Sequence, residues 1–132
     1  MTELTHAYVD TSALIAATFG GAPKGVLAVL LKAHLFVGTV GEAELASVYR
    51  REGRKPEELR ELQRSWSLVT PRESLLPQLQ RVLDTGYLRG ADAWHVACAL
   101  WLTPDPGALY FVTLDLAQAR VARMLGLNVV SE

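Results

Sequence analysis

Four acids stand at three helix or strand ends and in one helix interior of this chain. They are Asp10 in HAYVDTSALIAA, Glu44 in VGEAELASVYRRE, Asp92 in ADAWHVACALWL and Asp115 in YFVTLD. Each has an ordinary structural explanation. Asp10, followed by Thr11 and Ser12, has the residue types that accept hydrogen bonds from the free N–H groups of a helix start. Asp115 is placed to cap the last helix, with Thr113 sharing the role. Asp92 suits the first turn of its helix, at the positive end of the helix dipole, and Glu44 suits a solvated position early in another. What these explanations leave over is the set. Four carboxylates gathered at one edge of a sheet repel one another and lose solvation, which destabilises the fold unless a cation binds. Oxygen donors without a Cys or His cluster suit Mg²⁺ or Mn²⁺ better than zinc. Such an ion polarises a phosphoryl oxygen and acidifies a bound water, so the implied chemistry is phosphodiester hydrolysis.

Within ADAWHVACALWL only Asp92 and His95 ionise near neutral pH, so this helix is expected to run through the core. A charge there needs a partner or a metal. His95, one turn after Asp92, is open to a role as ligand or proton relay. A lone histidine on an apolar face is more commonly a neutral, hydrogen-bonded core residue, and that reading is preferred. Glu42 and Glu44 lie about 200° apart around their helix, so only one can face a given site. The small neighbours Ala43, Ala46 and Ser47 favour Glu44, with Glu42 left as a substitute.

The elements that position these acids follow from the hydrophobic pattern. Strand-like runs span His6 to Asp10, Leu35 to Gly38, Ser67 to Thr70, Leu109 to Thr113 and Leu127 to Val130. Between them Val26, Leu27, Leu30 and Leu31 share a helical face behind Pro23. Leu75, Leu79, Val82 and Leu83 share another, as do Ala117, Val121, Met124 and Leu125 before Gly126. Helices alternating with apolar strands predict a three-layer α/β/α architecture around a mainly parallel five-stranded sheet. Open parallel sheets bind ligands at the carboxyl ends of their strands, where order reverses. Asp10 and Asp115 open onto one crevice if the first and fourth strands are neighbours.

The 132 residues suit one domain spanning residues 1–132, and neither Arg54-Lys55-Pro56 nor the Thr103–Gly107 turn reads as a domain boundary. Cys98 is the only cysteine and lies in an apolar run, as expected of a buried thiol in a reducing compartment. MTELTHAYVD has neither a basic region nor an apolar leader, and the chain is read as cytoplasmic. A net charge of −1 excludes a protein whose overall field attracts nucleic acid. Arg50, Arg51, Arg54, Lys55, Arg60 and Arg64 form a basic cluster, but Glu52, Glu57, Glu58 and Glu61 interleave with it, so a solvated face is expected. Trp66, Trp94 and Trp101 read as core or interface rather than base-stacking groups. The stretch between Ala17 and Gly25, with its Gly20-Gly21 pair, is expected as a mobile loop at the mouth of the site.

Other Asp-centred α/β families lose their required residues. A haloacid-dehalogenase-like phosphatase needs a second acid where Ser12 stands. A receiver domain needs a late lysine, whereas the lysines are Lys24, Lys32 and Lys55. A Rossmann-type turn needs glycines that DTSALIA lacks.

Together, VDTSALIA, AEL, ADAWHVACAL and FVTLDLAQARVARMLGLNVV resemble the PIN domain, particularly the VapC-like ribonuclease toxins of toxin-antitoxin pairs. The resemblance spans essentially the whole chain. It implies a five-stranded parallel sheet and a Mg²⁺- or Mn²⁺-dependent endoribonuclease in which Asp10, Glu44, Asp92 and Asp115 form the metal site. Ser12 and Thr113 match site-lining hydroxyls. It further implies an RNA substrate, a homodimer and a cognate antitoxin that covers the site. The rival readings are a PIN nuclease of RNA processing without an antitoxin, and a PIN-like module that binds RNA or protein without cutting.

Overall fold

Alternation along five short apolar runs builds the sheet, in the computed structural model that describes residues 5–132. Residues 1–4 of the stretch read for a leader lie outside the described residues. The strands are β1 (His6–Val9), β2 (His34–Gly38), β3 (Trp66–Val69), β4 (Leu109–Val112) and β5 (Asn128–Val130), each within one residue of the expected run at either end. All pairs are parallel, in the order β3-β2-β1-β4-β5. Parallel neighbours require crossover connections. Helices α1 (Thr11–Phe19) and α2 (Lys24–Lys32) join β1 to β2, and α3 (Thr39–Arg51) and α4 (Pro56–Gln63) join β2 to β3. Then α5 (Leu76–Thr85), α6 (Gly90–Leu102) and a 3-10 turn lead to β4, and α7 (Leu116–Met124) leads to β5.

Because successive strand residues point to opposite faces, β1 and β4 feed two cores at once. Tyr8 and Phe111 face Val82, Val96, Cys98 and Val121 of α5, α6 and α7, and their rings stack with centroids 5.7 Å apart. Ala7, Val9 and Val112 face Leu14, Val26 and Leu45 of α1, α2 and α3. The result is the expected α/β/α sandwich. Helix α6 is buried from Ala93 through Leu100 except at Trp94, as its composition requires. Trp66 is buried in the core under α1 to α3, Trp94 packs against the opposite core beside α6, and Trp101 donates to Glu73 at 2.8 Å.

Four of the six residues of the basic cluster around α3 and α4 are matched by neighbouring acids. Arg54 pairs with Glu58 at 2.8 Å, Arg64 with Glu61 at 3.1 Å, Arg51 with Glu52 at 3.2 Å and Arg60 with Glu57 at 3.8 Å. This is the solvated face that the interleaved glutamates imply. Among the described residues no single helix is long and apolar enough to cross a membrane.

The expected site-mouth loop at Gly20-Gly21 lies elsewhere. Both glycines have φ near +100°, so they make the turn from α1 to α2. That turn follows the far end of a nine-residue helix, about 13 Å of rise from Asp10. The neighbouring Phe19 packs on Tyr49, and Arg54 lies 4.9 Å above the Phe19 ring, which ties this end to the paired basic face.

Gly38 closes β2 for a different reason. A Cβ there would strike the Tyr8 hydroxyl and come within 2.5 Å of the Trp94 ring. Gly38→Ala should therefore destabilise the fold by about 1–3 kcal/mol, read from urea unfolding; an unchanged midpoint would show that the junction can relax. Burial also pushes the Cys98 thiol up to about 12. The folded protein should resist alkylation at pH 8 and react once in urea.

Candidate active site

The carboxyl ends of β1 and β4 meet at the centre of the sheet. Val9 pairs with Val112, and the Asp10 N–H donates to the Val112 carbonyl at 2.9 Å. From β1 the chain moves to β2 and β3 on one side, and it later returns to place β4 on the other. The strand order therefore reverses between β1 and β4, where Asp10 and Thr113 emerge.

Asp10 is buried and caps α1, its Oδ2 accepting from the Ser12 N–H at 3.2 Å and the Ser12 hydroxyl at 2.6 Å. Ser12 Oγ in turn accepts the Leu114 N–H at 3.0 Å, which ties the end of β1 to the turn after β4. Thr113 Oγ1 lies 3.2 Å from Asp10 Oδ2 but only 2.6 Å from Gln118 Oε1. Its one proton belongs to the shorter contact, and its lone pairs accept from the Asp115 N–H at 3.1 Å. Gln118, fully buried on α7, uses its amide nitrogen on Asp10 Oδ1 at 3.4 Å and on the Asp92 carbonyl at 3.1 Å. One amide thus links β1, β4, α6 and α7.

Glu44 is fixed by another network. Its Oε1 accepts from the Thr11 hydroxyl and from His95 Nε2, both at 2.8 Å. A carboxylate accepts only, so the His95 proton is assigned to Nε2, and Nδ1 receives the Tyr8 hydroxyl at 2.8 Å. Burial holds the Tyr8 phenol well above its usual range, so it remains a donor at neutral pH. His95 Nε2 also lies 3.6 Å from Asp10 Oδ1. Gly41 leaves room for this arrangement, since a Cβ there would lie 3.1 Å from His95 Cε1. Glu42 points away and accepts from Gln63 of α4 at 2.7 Å, so Glu44 is the acid presented to the site.

Asp115 caps α7 by accepting the Gln118 N–H at 2.9 Å. Asp92, in the first turn of α6, accepts no capping bond, so capping does not explain it. Its carboxyl titrates above the usual range. Burial is the main cause, followed by the charges of Asp115 and Asp10; His95 opposes the shift and Glu44 adds to it. Asp92 and Asp115 together line a cavity of about 310 Å³.

The four acids, Ser12 and Thr113 therefore occupy one edge, and no Lys or Arg is paired with these acids among the described residues. Mutually repelling oxygen donors of this kind fit a hard divalent cation. Among the described residues no three acid, histidine or cysteine side chains form a ready-made cation cage. His95 is the buried, hydrogen-bonded core histidine that the preferred reading expects, and it is also the residue that holds Glu44. Its signal was the three-residue spacing from Asp92, which puts both on one helix face. Gln118 was missed altogether, because an isolated glutamine in an amphipathic helix reads as solvated.

The sequence matches the PIN domain over residues 7–124. No curated protein matches it at a significant level. The fold is similar to that of VapBC-1 from nontypeable Haemophilus influenzae, with a TM-score of 0.71 and 16% identity over 96% of this chain and 97% of that one. It is also similar to that of FitAcB from Neisseria gonorrhoeae, with a TM-score of 0.60 and 14% identity over 93% of this chain and 95% of that one. With the match reaching from β1 into the last turn of α7, the chain belongs to the PIN domain family, a family of nucleases.

Proposed function

We propose that this chain is a single-domain endoribonuclease that depends on Mg²⁺ or Mn²⁺ and acts as the toxin of a type II toxin-antitoxin pair in the cytoplasm. The observation that carries the reading is the gathering of Asp10, Glu44, Asp92 and Asp115 at the strand-order switch with no Lys or Arg paired to them among the described residues. These four residues would hold the metal. When bound, the ion supplies an acidified water and stabilises charge on the phosphoryl and leaving oxygens.

The chain's own residues pre-organise that edge. Ser12 and Gln118 orient the buried Asp10 carboxylate with neutral donors, leaving its negative charge uncancelled. Tyr8 and His95 hold Glu44 in one direction through a two-bond chain. Asp92 and Asp115 are less buried than Asp10, and the cavity they line is where a phosphodiester would approach. For the antitoxin, a groove of about 710 Å³ with Leu14, Leu30, Leu31 and Leu62 in its wall offers apolar surface to an amphipathic segment. For a homodimer, Leu76 and Leu83 leave apolar surface on α5 for a second copy.

The test is cleavage of labelled single-stranded and structured RNAs with Mg²⁺, Mn²⁺ or chelator. Cleavage should require metal and fall at least about 100-fold in Asp10→Asn and in Asp92→Asn, without loss of thermal stability in Asp92→Asn. Cleavage unaffected by both substitutions would reject the site. Tyr8→Phe, which leaves His95 Nδ1 unpaired in the core, should cost about 1–2 kcal/mol in unfolding free energy and slow cleavage. Wild-type stability and rate would remove the Tyr8–His95 chain from the mechanism.

A further inference from the structure

The paired arginines of α3 and α4 leave open which cations would meet a polyanionic substrate. Arg89 lines the cavity of Asp92 and Asp115, and Arg120 lines the cavity that adjoins it. Both are exposed, and neither forms an ion pair among the described residues. Each lines one part of a cleft formed by two adjoining cavities. Its first part, about 310 Å³, contains Asp92, Asp115 and Arg89; its second, about 240 Å³, contains Arg120 and Met124. Tyr87 and Ala117 line both parts.

The cleft has an aromatic wall that the core does not use. Tyr87 is 84% exposed, in the short connection between α5 and α6. Its position depends on Gly86, where a Cβ would lie 2.9 Å from Val121 Cγ2 of α7. The close approach of that backbone to α7 sets Tyr87 beside Ala117, whose small side chain leaves space next to the ring. Met124, 64% exposed, extends the apolar rim. A flat apolar face between two free guanidiniums, opening onto carboxylates, matches a nucleotide: a base to stack and phosphates to pair. A duplex offers no free base face, because its bases are already stacked. A protein partner would have to desolvate both arginines and both aspartates in one small patch.

Resting on the nuclease reading above, we infer that this cleft seats one nucleotide of single-stranded RNA next to the phosphate that is cut, with its base on Tyr87 and its phosphates on Arg89 and Arg120. The layout gives the direction in which the strand leaves the acids. The cleaved bond lies at the Arg89 end, over Asp92 and Asp115, and the strand continues toward Arg120.

Fluorescence anisotropy with a labelled, mixed-sequence single-stranded oligoribonucleotide tests this, in the Asp10→Asn chain so that the probe stays intact. Tyr87→Ala should weaken binding about 5- to 150-fold, and Tyr87→Phe should stay within about twofold of the parent. Arg89→Gln and Arg120→Gln should each reduce the slope of log affinity against log salt by about 0.7. Arg60→Gln, which removes a guanidinium already paired with Glu57, should leave that slope unchanged. Tyr87→Ala binding within twofold, in a chain that still cleaves when Asp10 is restored, would overturn the cleft and spare the nuclease reading. Failure of the unsubstituted chain to cut or bind any RNA would overturn both. A change of sedimentation mass in Tyr87→Ala with RNA affinity unchanged would reassign the patch to protein contact and reject the inference.

Discussion

Everything at this site depends on β4 lying beside β1. That parallel pair, with Val9 opposite Val112, brings together two segments a hundred residues apart and ends both strands at the same height. Had β4 joined the sheet beside β3, Asp10 would face neither Thr113 nor Gln118. The pairing also explains why the last residue of each expected run leaves the sheet. Asp10 makes one further ladder bond, to Val112, and then turns into α1, while Thr113 turns toward α7 and supplies a hydroxyl instead of a side chain for the core. With α6 packed across the same edge, its first turn has nowhere to go but toward the two strand ends.

The site manages negative charge in two ways. Asp10, the most buried of the acids, is surrounded by a backbone N–H, a hydroxyl and an amide, which are neutral donors that solvate a carboxylate without cancelling it. Glu44 is aimed by His95, whose own orientation is fixed by a phenol that burial keeps protonated. An arginine in either place would compete with a cation for the same oxygens. Asp92 shows what this arrangement costs. Its proton is held more tightly in the folded chain than in an unfolded one, so ionised Asp92 opposes folding, increasingly as pH rises through its elevated range. A destabilising charge at the mouth of a cleft is expected where function and not packing sets the residue.

The fold was legible because its signals are strong and local. Apolar runs such as LYFV and HLFV have no competing reading, and parallel connectivity follows once amphipathic helices separate them. Asp10 and Asp115 were legible as candidates because helix capping and strand-end chemistry use the same position. Glu44 over Glu42 followed from helical angle and small neighbours, and the Glu42–Gln63 contact gives its physical reason. His95 was only half legible, since burial and function make the same demand on a histidine, a hydrogen bond at each ring nitrogen. Gln118 was illegible: its partners come from three other elements, and nothing in LAQARVARM distinguishes an inward glutamine from a solvated one. The Gly20-Gly21 turn was misplaced because glycine reports backbone freedom and not location.

Net charge was the least informative global property, and the distribution of charge explains why. Four of the ten arginines are neutralised by glutamates one to four residues away along α3 and α4, so they add nothing to the field at the site. A net charge of −1 averages this silent cluster with an acidic edge that repels phosphate. For such a surface to approach a polyanion, cationic groups must lie within about a Debye length of the acids and must not already be paired. Local pairing, which sequence reading can count only along a helix, therefore decides which arginines act. On the proposed reading the same condition would make the acidic edge selective: a phosphate would reach it only with a cation between the acids or guanidiniums at its side, so the charge that makes the site costly would also restrict what it admits.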